Sequence, residues 1–376
     1  MQVNIVTSNA CLSIPSPFRF NGAFARAERY ANALYSNIPN PQNIDVICFQ
    51  ELIVNRSQVL KGLIHHPHYT KINYGSAFGN NIRFLESGLT IASKWPIVKQ
   101  INHVFSGPTY HVEAFMAKSV LYAKIKVSDN FHINVFNTHT QAWANLKAKE
   151  IRFNQFKQIA YFIDSMNIPS NEPVFLCGDF NFDFYEHGKL LEDVMSIVDC
   201  TMQLPQTPQF TFDPTTNQLV GTDDASEYTT RFDVNGCYET FLETGICSCC
   251  PRQMIDGIAT SNIHLQPSEM HTKVIQNISS VPFEIYINIS TKRSTRNVSD
   301  HYCVYSTFTF LASMIQNSSS VSSSKKSIEY QANQHYYKWV LVEFGLFFLL
   351  YFIVVVVLHF LSKKRKKLNN QSTDLN

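Results

Sequence analysis

The residues of this chain that could do chemistry stand where apolar segments end. Residues 173–177 are apolar and indicate a short buried strand, and Gly178 breaks it so that Asp179 and Asn181 follow at its end. An acid and an amide two residues apart at a strand end can reach one metal ion or one small anionic group. Taken alone, Gly-Asp-x-Asn is also an ordinary turn sequence.

Four other segments show the same arrangement of an apolar strand with a polar end. Residues 45–51 end in Glu51, residues 131–141 contain His139, and residues 3–9 end in Asn9. Asp300 and His301 stand directly before a further strand. Carboxylates, amides and imidazoles are the groups that a hydrated divalent cation and a phosphate require, so the pattern indicates a phosphate-directed metal site.

The polar strand ends belong to a longer series of motifs that resembles the endonuclease/exonuclease/phosphatase superfamily. Within it, the chain resembles the neutral sphingomyelinases, which are enzymes of the phospholipase C type. The motifs follow the family's order and cover nearly all of residues 3–310. They are Asn9, Gln50-Glu51, residues 87–97, residues 138–141, residues 178–181, residues 255–258 and residues 299–302.

The resemblance implies an α+β fold, a four-layer α/β/β/α sandwich of the DNase I-like type, over residues 1–313. Two mostly antiparallel sheets would face each other with helices outside. Apolar periodicity predicts the individual elements. Helices are predicted at residues 22–35, 52–64, 150–166 and 190–198, and late strands at residues 255–263, 281–289 and 301–311.

The resemblance also implies the catalytic roles, position by position. His301 is the expected general base, since an imidazole titrates near neutral pH. Asp256 would hold the His301 ring in the correct tautomer, and Asp179 would orient the attacking water. Asn181 and His139 would hydrogen-bond the phosphoryl oxygens as negative charge develops.

A second set of residues is implied to hold the cofactor. Glu51, Asn9 and Asp300 offer hard oxygen ligands for Mg²⁺, with Mn²⁺ as a possible substitute. The cation would polarise the phosphate and stabilise the leaving group.

Two further positions are implied to contact substrate, Phe212 and Lys118. Phe212 opens a Phe-Asp-Pro segment where the sphingomyelinases have Trp-Asp-Pro, and an aromatic face can hold a quaternary ammonium group. Lys118 follows Glu113 at a spacing similar to that of an Asp and Lys pair in the membrane-regulated members. An exposed ion pair is the alternative interpretation of Glu113 and Lys118.

Composition limits the possible functions. The chain has 376 residues, of which 45% are hydrophobic, and a formal net charge of only +2. No strong positive field points to nucleic acid, so no nucleic-acid partner is expected.

Histidines at 65, 66 and 68 could form a metal site, although unpaired surface histidines are commoner. Among nine cysteines, a cluster could form a disulfide, a metal clip or a thiol-rich loop. Its members are Cys237, Cys247, Cys249 and Cys250.

The C-terminal part of the chain changes in composition. Residues 314–337 form a Ser- and Asn-rich linker, and residues 338–361 are apolar over a length that spans a bilayer. Residues 362–376 form a basic tail. These patterns predict a single-pass membrane protein, and the resemblance to the sphingomyelinases implies a membrane phospholipid as substrate; the oligomeric state is not indicated.

Signals for the side of the membrane conflict. Met1 lies just before the first strand, which leaves no room for a signal peptide and favours a cytosol-facing domain if Met1 is the true start. The basic tail and five glycosylation sequons favour the opposite side. The sequons are at Asn55, Asn277, Asn288, Asn297 and Asn317.

The expected function is therefore Mg²⁺-dependent hydrolysis of sphingomyelin, or a related phospholipid, to ceramide and phosphocholine. A nuclease or an inositol-polyphosphate phosphatase on the same fold is the nearest alternative. The phosphatase alternative is disfavoured because no Trp-Cys-Asp-Arg segment stands near Asp256. An inactive, membrane-tethered binding module is the alternative of another class, and the complete set of expected catalytic residues argues against it.

Overall fold

A computed structural model describes most of the chain up to residue 311. The described residues are 1–13, 22–71, 85–110, 113–114, 116–143, 145–186, 189–220, 251–286 and 292–311. Packing divides the chain into two units: Met1–Phe105 with Thr109–Ser324, and Ser106–Pro108 with Lys325–Asn376. All the helices and strands described here lie in the first unit. The predicted linker, transmembrane helix, basic tail and cysteine cluster lie outside the described residues.

The described elements alternate between strands and helices along the chain. In order they are β1 (Gln2–Leu12), α1 (Ala23–Asn37), a 3₁₀ turn (Pro41–Asn43), β2 (Val46–Leu52), α2 (Arg56–Gly62), β3 (His68–Tyr69), β4 (Leu85–Glu86), β5 (Thr90–Ser93), β6 (Ile97–Val104), β7 (Met116–Ala117), β8 (Ser119–Ser128), β9 (Phe131–His139), α3 (Leu146–Ser165), β10 (Val174–Asp179), α4 (Leu190–Ile197), β11 (Cys200–Met202), β12 (Asp256–Ser261), β13 (Glu269–Ile275), β14 (Ile278–Tyr286), β15 (Lys292–Asn297) and β16 (Cys303–Thr309).

Two six-stranded sheets form the middle of the fold. The first sheet has the order β13-β16-β1-β2-β5-β3, and the second has the order β11-β12-β10-β9-β8-β6. In each sheet one neighbouring pair is parallel, β1 with β2 and β9 with β10, and the other pairs are antiparallel. The prediction of two mostly antiparallel sheets is confirmed.

The strand β2 shows why the sheets are covered on both faces. Val46 and Cys48 pack into the core between the sheets, whereas Ile47 and Phe49 pack into the core under α1 and α2. Alternate side chains of a strand point to opposite faces, so a continuous apolar run needs an apolar layer on each side. The ring of Phe49 meets Tyr30 of α1 with centroids 6.1 Å apart.

Helix α3 covers the second sheet in the same way. Its Phe162 ring lies 5.7 Å from Phe136 of β9, and its Phe156 ring lies 5.6 Å from Phe180. The helix begins at Leu146, earlier than predicted, because the side chain of Asn145 accepts a hydrogen bond from the Ala148 backbone N–H at 2.9 Å. Helix, sheet, sheet and helix thus form the predicted four layers.

Some predicted boundaries were wrong. The helix predicted at residues 52–64 begins only at Arg56, because β2 continues through Leu52 and Asn55 takes a left-handed backbone with φ 51°. The polar strands β13 and β15 were not predicted. β13 is the edge strand of the first sheet, and β15 pairs with β14 in a separate two-stranded sheet. In both positions charged side chains such as Glu269 and Lys292 remain exposed, so no apolar alternation is needed. Among the described helices, none is long and apolar enough to cross a membrane.

One buried arginine joins the beginning and the end of this fold. Arg26 of α1 is fully buried, and its Nη1 donates to the carbonyls of Ala10 at 3.2 Å and Val298 at 2.9 Å. Its Nη2 donates to the Cys11 carbonyl at 2.5 Å. Helix α1 therefore holds the end of β1 beside the segment that leads to His301.

Histidine 66 is a buried residue and not a surface one. It is 1% exposed, and its Nδ1 lies 2.9 Å from the hydroxyl of Tyr35. Burial lowers the pKa of His66 to about 4, with smaller contributions from His65 and Lys94. The neutral imidazole is therefore the form that the fold stabilises.

We expect His66 to make the protein sensitive to acid. The folded-state pKa lies below the ordinary 6.5, so its contribution to stability is complete above pH 6.5 and is lost as the pH falls to about 4. The loss amounts to about 3 kcal/mol. Urea unfolding at pH 7 and at pH 4.5 should show a smaller loss of stability for His66→Gln than for the wild type. His68→Gln, two residues away, is the control, and an equal pH effect in all three proteins would contradict the prediction.

Candidate active site

The two parallel strand pairs bring the predicted site residues to one end of the sandwich. Asn9 and Glu51 stand near the ends of β1 and β2 in the first sheet. In the second sheet, His139 of β9 and Asp179 of β10 are paired in register, and Asp179 is paired in turn with Asp256 of β12. Parallel neighbours end at the same sheet edge. The side chains of Asn9 and Glu51, and those of His139 and Asp179, are therefore brought together by the strands themselves and not by a loop.

Asp179 is the centre of the cluster. Its Oδ2 accepts a hydrogen bond from Asn9 Nδ2 at 3.0 Å and lies 3.5 Å from His139 Nε2 and 3.9 Å from His301 Nε2. Its Oδ1 accepts the backbone N–H of Asn181 at 3.0 Å. The carboxyl group is 1% exposed, and burial, followed by the charge of Asp256, raises its pKa to about 7.

Asp256 and His301 form the predicted pair of acid and imidazole. Asp256 Oδ2 lies 2.8 Å from His301 Nδ1, and both residues are buried. Burial alone would lower the pKa of His301, but Asp256, with Asp300 and Asp179, raises that pKa well above its ordinary value. A carboxylate at Nδ1 keeps a proton on that atom, so Nε2 is the atom that can take a proton on the Asp179 side.

His139 differs from His301 in its electrostatic environment. Burial, followed by the positive charges of Lys118 and His301, lowers the pKa of His139 well below its ordinary value. The ring is therefore neutral. Its Nδ1 is buried and has no hydrogen-bond partner among the described residues, and the nearest carboxylate oxygen is Glu51 Oε1 at 3.9 Å. A buried polar atom of this kind indicates room for a bound group.

The surroundings of Glu51 fit a divalent cation. The Asn9 amide nitrogen lies between two carboxylates, 3.2 Å from Glu51 Oε1 and 3.0 Å from Asp179 Oδ2, in the position that a cation would also favour. The Asn9 Oδ1 accepts the Cys11 N–H at 2.9 Å, so this amide would have to turn to place its oxygen on a metal. The oxygen-rich donor set suits Mg²⁺.

The predicted metal ligands and the tightest cluster of possible ligands are not the same set. Among the described residues, the ligand atoms that lie within 4.8 Å of one another belong to Asp179, Asp256 and His301. Asp300 follows Ser299, whose hydroxyl donates to Asp300 Oδ1 at 3.3 Å. The role of Glu51, Asn9 and Asp300 as metal ligands stays a prediction.

Glycine is required at position 178, which lies inside β10 directly before Asp179, so the strand does not break there as predicted. Gly178 has φ 152°, and a Cβ at this position would lie 2.1 Å from the Thr138 carbonyl oxygen. The close approach lets Asn181 reach back, where its Nδ2 donates to the Thr140 carbonyl at 3.1 Å. Asn181 itself has a left-handed backbone with φ 52°. The Gly-Asp-x-Asn sequence thus serves both a turn and a site.

Lys118 and Glu113 form a buried ion pair, so the interpretation of an exposed pair was wrong. Lys118 is 0% exposed, its Nζ lies 2.6 Å from Glu113 Oε1, and it donates to the Thr140 carbonyl at 2.8 Å. Glu113 also accepts hydrogen bonds from the Gln141 side chain and the Ala142 N–H. The structure gives Lys118 protein partners behind His139, and a contact with substrate stays a prediction.

Phe212 lies against the proposed base. Its ring is 5.3 Å from the His301 ring, and its backbone forms a bridge with that of His301. The Phe-Asp-Pro segment is anchored by an ion pair from Arg252 to Asp213 at 2.9 Å, and the Arg252 guanidinium lies 4.1 Å above the Phe210 ring. The predicted aromatic segment therefore borders the site.

One residue of the site was missed by sequence reasoning. Asn137 of β9 accepts a hydrogen bond from Gln50 Nε2 at 2.7 Å and donates to the Phe49 carbonyl at 2.8 Å and the Thr90 carbonyl at 3.1 Å. It ties the two sheets together beneath the cluster. The available signal was an amide in the middle of a buried strand, two residues before His139.

Comparison with known proteins was made for sequence and for structure. A model of the Endonuclease/Exonuclease/phosphatase family matches residues 7–234, which is more than half of the chain. The chain is 29% identical over 321 residues to sphingomyelinase C from Leptospira interrogans, covering 81% of this chain and 51% of the relative. It is 30% identical over 234 residues to sphingomyelinase C from Bacillus cereus, covering 59% of this chain and 61% of the relative.

The chain therefore spans about half to three-fifths of the length of these relatives. The structure superposes on beta toxin from Staphylococcus aureus, solved with bound magnesium ions, with a TM-score of 0.65 and 21% identity. That match covers 82% of this chain and 100% of the toxin chain, and it supports the four-layer fold. The resemblance to sphingomyelinases is thus confirmed, and the chain belongs to the endonuclease/exonuclease/phosphatase family.

Proposed function

We propose that the protein is a divalent-cation-dependent phosphodiesterase that hydrolyses sphingomyelin, or a related phospholipid, to ceramide and phosphocholine. The observation that carries the proposal is the buried series Asp256, His301 and Asp179 beside the carboxylate of Glu51. The similarity to two bacterial proteins named sphingomyelinase C supports the choice of lipid.

His301 acts as the general base in this proposal. The raised pKa of His301 favours the ring that is protonated on both nitrogens, so this role requires the form that carries a proton on Nδ1 alone, toward Asp256. In that form Nε2 faces Asp179 at 3.9 Å, and a water held between Asp179 and His301 could give up its proton there. Asp179 orients that water. The neutral ring of His139 lies 3.5 Å from Asp179 Oδ2, and the backbone N–H of Asn181 donates to Asp179 Oδ1. Both residues would hydrogen-bond the phosphoryl oxygens, Asn181 through the side-chain amide that now donates to the Thr140 carbonyl.

Glu51, with Asn9 and Asp300, would hold Mg²⁺ or Mn²⁺, and the bound cation would supply charge neutralisation at the phosphate and at the departing alkoxide. The chain contributes the fixed positions around that charge. Phe212, 5.3 Å from the His301 ring, provides the aromatic face that a choline headgroup would contact. The low net charge of +2 disfavours nucleic acid as the substrate.

Residues 338–361 form the membrane anchor in this proposal, and the catalytic domain faces the cytosol. The apolar run followed by basic residues supports the anchor. Two sequons are unsuited to carrying a glycan in the folded domain, because Asn277 is 1% exposed and Asn297 is 5% exposed.

The lipid assignment is tested with the purified full chain in mixed micelles. Phosphocholine release from sphingomyelin should require Mg²⁺, stop on addition of EDTA and return when Mg²⁺ is restored. Phosphatidylcholine, an inositol polyphosphate and single-stranded and abasic DNA serve as alternative substrates. Faster hydrolysis of DNA or of the inositol polyphosphate than of sphingomyelin would refute the lipid assignment, and no hydrolysis of any of them would favour a binding module.

The general base is tested by His301→Gln. We expect turnover to fall by about 10²–10⁴-fold because no other group takes the water proton at this position. His132→Gln is the matched control, since His132 lies at the opposite end of β9 from His139, with its Nδ1 3.7 Å from Glu172. Retained Mg²⁺ binding and thermal stability would show that the fold survives. Near-normal turnover of the His301 variant would mean that another residue is the base.

The anchor and its side of the membrane are tested in the cell that makes the protein. The chain should remain with the membrane after alkaline carbonate extraction, and deletion of residues 338–376 should release it. Endoglycosidase treatment should leave its electrophoretic mobility unchanged. A mobility shift that disappears on replacement of Asn288 would place the domain on the other side.

A further inference from the structure

The backbone at Glu51 leaves the regular strand conformation. Glu51 has a left-handed φ of 52°, a conformation that residues with a Cβ adopt rarely. The pairing of β1 with β2 runs in register to Asn9 and Gln50 and resumes at Leu12 and Leu52 after a shift. This bulge directs the Glu51 carboxylate toward Asn9 and His139, so something must hold the backbone in the unfavourable conformation.

The next residue, Leu52, is held through both of its backbone polar groups. Its N–H donates to the Gly88 carbonyl at 3.0 Å, and its carbonyl accepts Arg56 Nε at 2.7 Å. Gly88 packs directly on this turn, because a Cβ there would lie 2.6 Å from Leu52 N and 2.7 Å from Glu51 Cα. The position of Glu51 thus depends on where Arg56 and Gly88 stand.

A buried ion pair links these two supports. Arg56 Nη2 lies 2.8 Å from Glu86 Oε1, and Arg56 Nη1 donates to Glu86 Oε2 at 3.3 Å. The side chains of Arg56 and Glu86 are only 7% and 16% exposed. Glu86 stands two residues before Gly88, which packs on Glu51. The Arg56 guanidinium therefore connects the Leu52 carbonyl to the segment of Glu86 and Gly88. Two parallel contacts fix the plane of an arginine, which a lysine cannot reproduce.

We propose that Arg56 and Glu86 are positioning residues that hold Glu51 in the geometry needed to bind a divalent cation. This proposal rests on the proposed function, in which Glu51 is a metal ligand. Neither Arg56 nor Glu86 is a catalytic residue, and both act through the backbone of Glu51 and Leu52. Their replacement should therefore weaken binding of the cation while the chemical step, once the cation is bound, proceeds normally.

The test compares Glu86→Gln and Arg56→Lys with the wild type, using the full chain in detergent. Isothermal titration with Mg²⁺ alone should show binding weakened roughly tenfold in both variants, as is usual when a group supporting a metal ligand is lost. Glu51→Gln gives the reference for loss of the ligand itself. Sphingomyelin turnover should need about tenfold more Mg²⁺ for half-saturation but reach about the wild-type kcat at saturating Mg²⁺.

The matched control is Glu172→Gln, which removes the partner of Lys124 from another largely buried ion pair with an N–O distance of 2.7 Å. That pair lies away from the site, near the start of β10, and its loss should leave the Mg²⁺ affinity unchanged. If the Glu86 and Arg56 variants lower the melting temperature but bind Mg²⁺ as the wild type does, the pair is merely structural and the proposal fails. Glu86→Gln is close to isosteric, so the Mg²⁺ affinity can still be measured on this variant if Arg56→Lys does not fold.

The outcomes also separate this proposal from the proposed function. Loss of Mg²⁺ affinity in the variants, in a protein that cleaves no phospholipid, would support the positioning role and refute the lipid phosphodiesterase. If the wild type cleaves the lipid and its Mg²⁺ binding depends on Glu51 but is unchanged in the Glu86 and Arg56 variants, the proposed function is supported and the positioning role is refuted. A wild-type protein whose Mg²⁺ binding does not depend on Glu51 would overturn the positioning role and the assignment of the ligand together.

Discussion

Burial of the Asp179 carboxyl group is the constraint on which the site depends. A charged carboxylate removed from water must find donors inside the protein. Its hydrogen-bond donors are Asn9 of the first sheet and the Asn181 N–H just after β10 of the second, and nitrogens of the His139 and His301 rings lie 3.5 and 3.9 Å away. The two sheets must therefore end at the same level. The pKa near 7 shows that these partners only partly compensate, so a nearby cation would favour the charged form of Asp179.

The parts of the site that could be predicted from the sequence are those fixed by short spacing. Asp179 and Asn181 stand in one turn, and Asp300 and His301 are adjacent, so their motifs were visible without knowledge of the fold. The pairing of Asp256 with His301, 45 residues apart, was implied only by the resemblance to a family. Its geometry, 2.8 Å between Oδ2 and Nδ1, depends on the contact of β12 in the second sheet with the chain that enters β16 in the first, and not on local sequence.

Other features could not be predicted because they depend on which long-range contacts form. Lys118 looked compatible with an exposed ion pair, since spacing alone does not reveal that its strand neighbours and Glu113 exclude water. The bridge from Gln50 to Asn137 joins residues of different sheets, and only the face-to-face packing of those sheets brings them together. The polar strands β13 and β15 were not visible because each depends on one distant or neighbouring partner strand, β16 for β13 and β14 for β15, and not on an apolar pattern of its own.

Three residues with an unfavourable backbone conformation lie at the site end of the sandwich. Cys11, Glu51 and Asn181 all have positive φ, between 47° and 52°, and each follows the end of regular pairing in a strand that carries a site residue. Such conformations persist where the surroundings hold them, as the carbonyl contacts of Arg26 and Arg56 do here. The buried arginines hold the backbone at the strand ends, and the strand ends in turn position the polar side chains of the site.

The pairing of β1 with β16 also has a consequence for biosynthesis. β1 lies inside the first sheet, yet one of its two neighbours, β16, is separated from it by almost the whole domain, with Gln2 opposite Thr309. During translation, the apolar strand β1 waits with an open edge until β16 leaves the ribosome, and such edges attract other chains. His301 arrives at the same late moment. Under the proposed function, a partly synthesised domain therefore lacks its general base, so hydrolytic activity would begin only after the whole sandwich has closed.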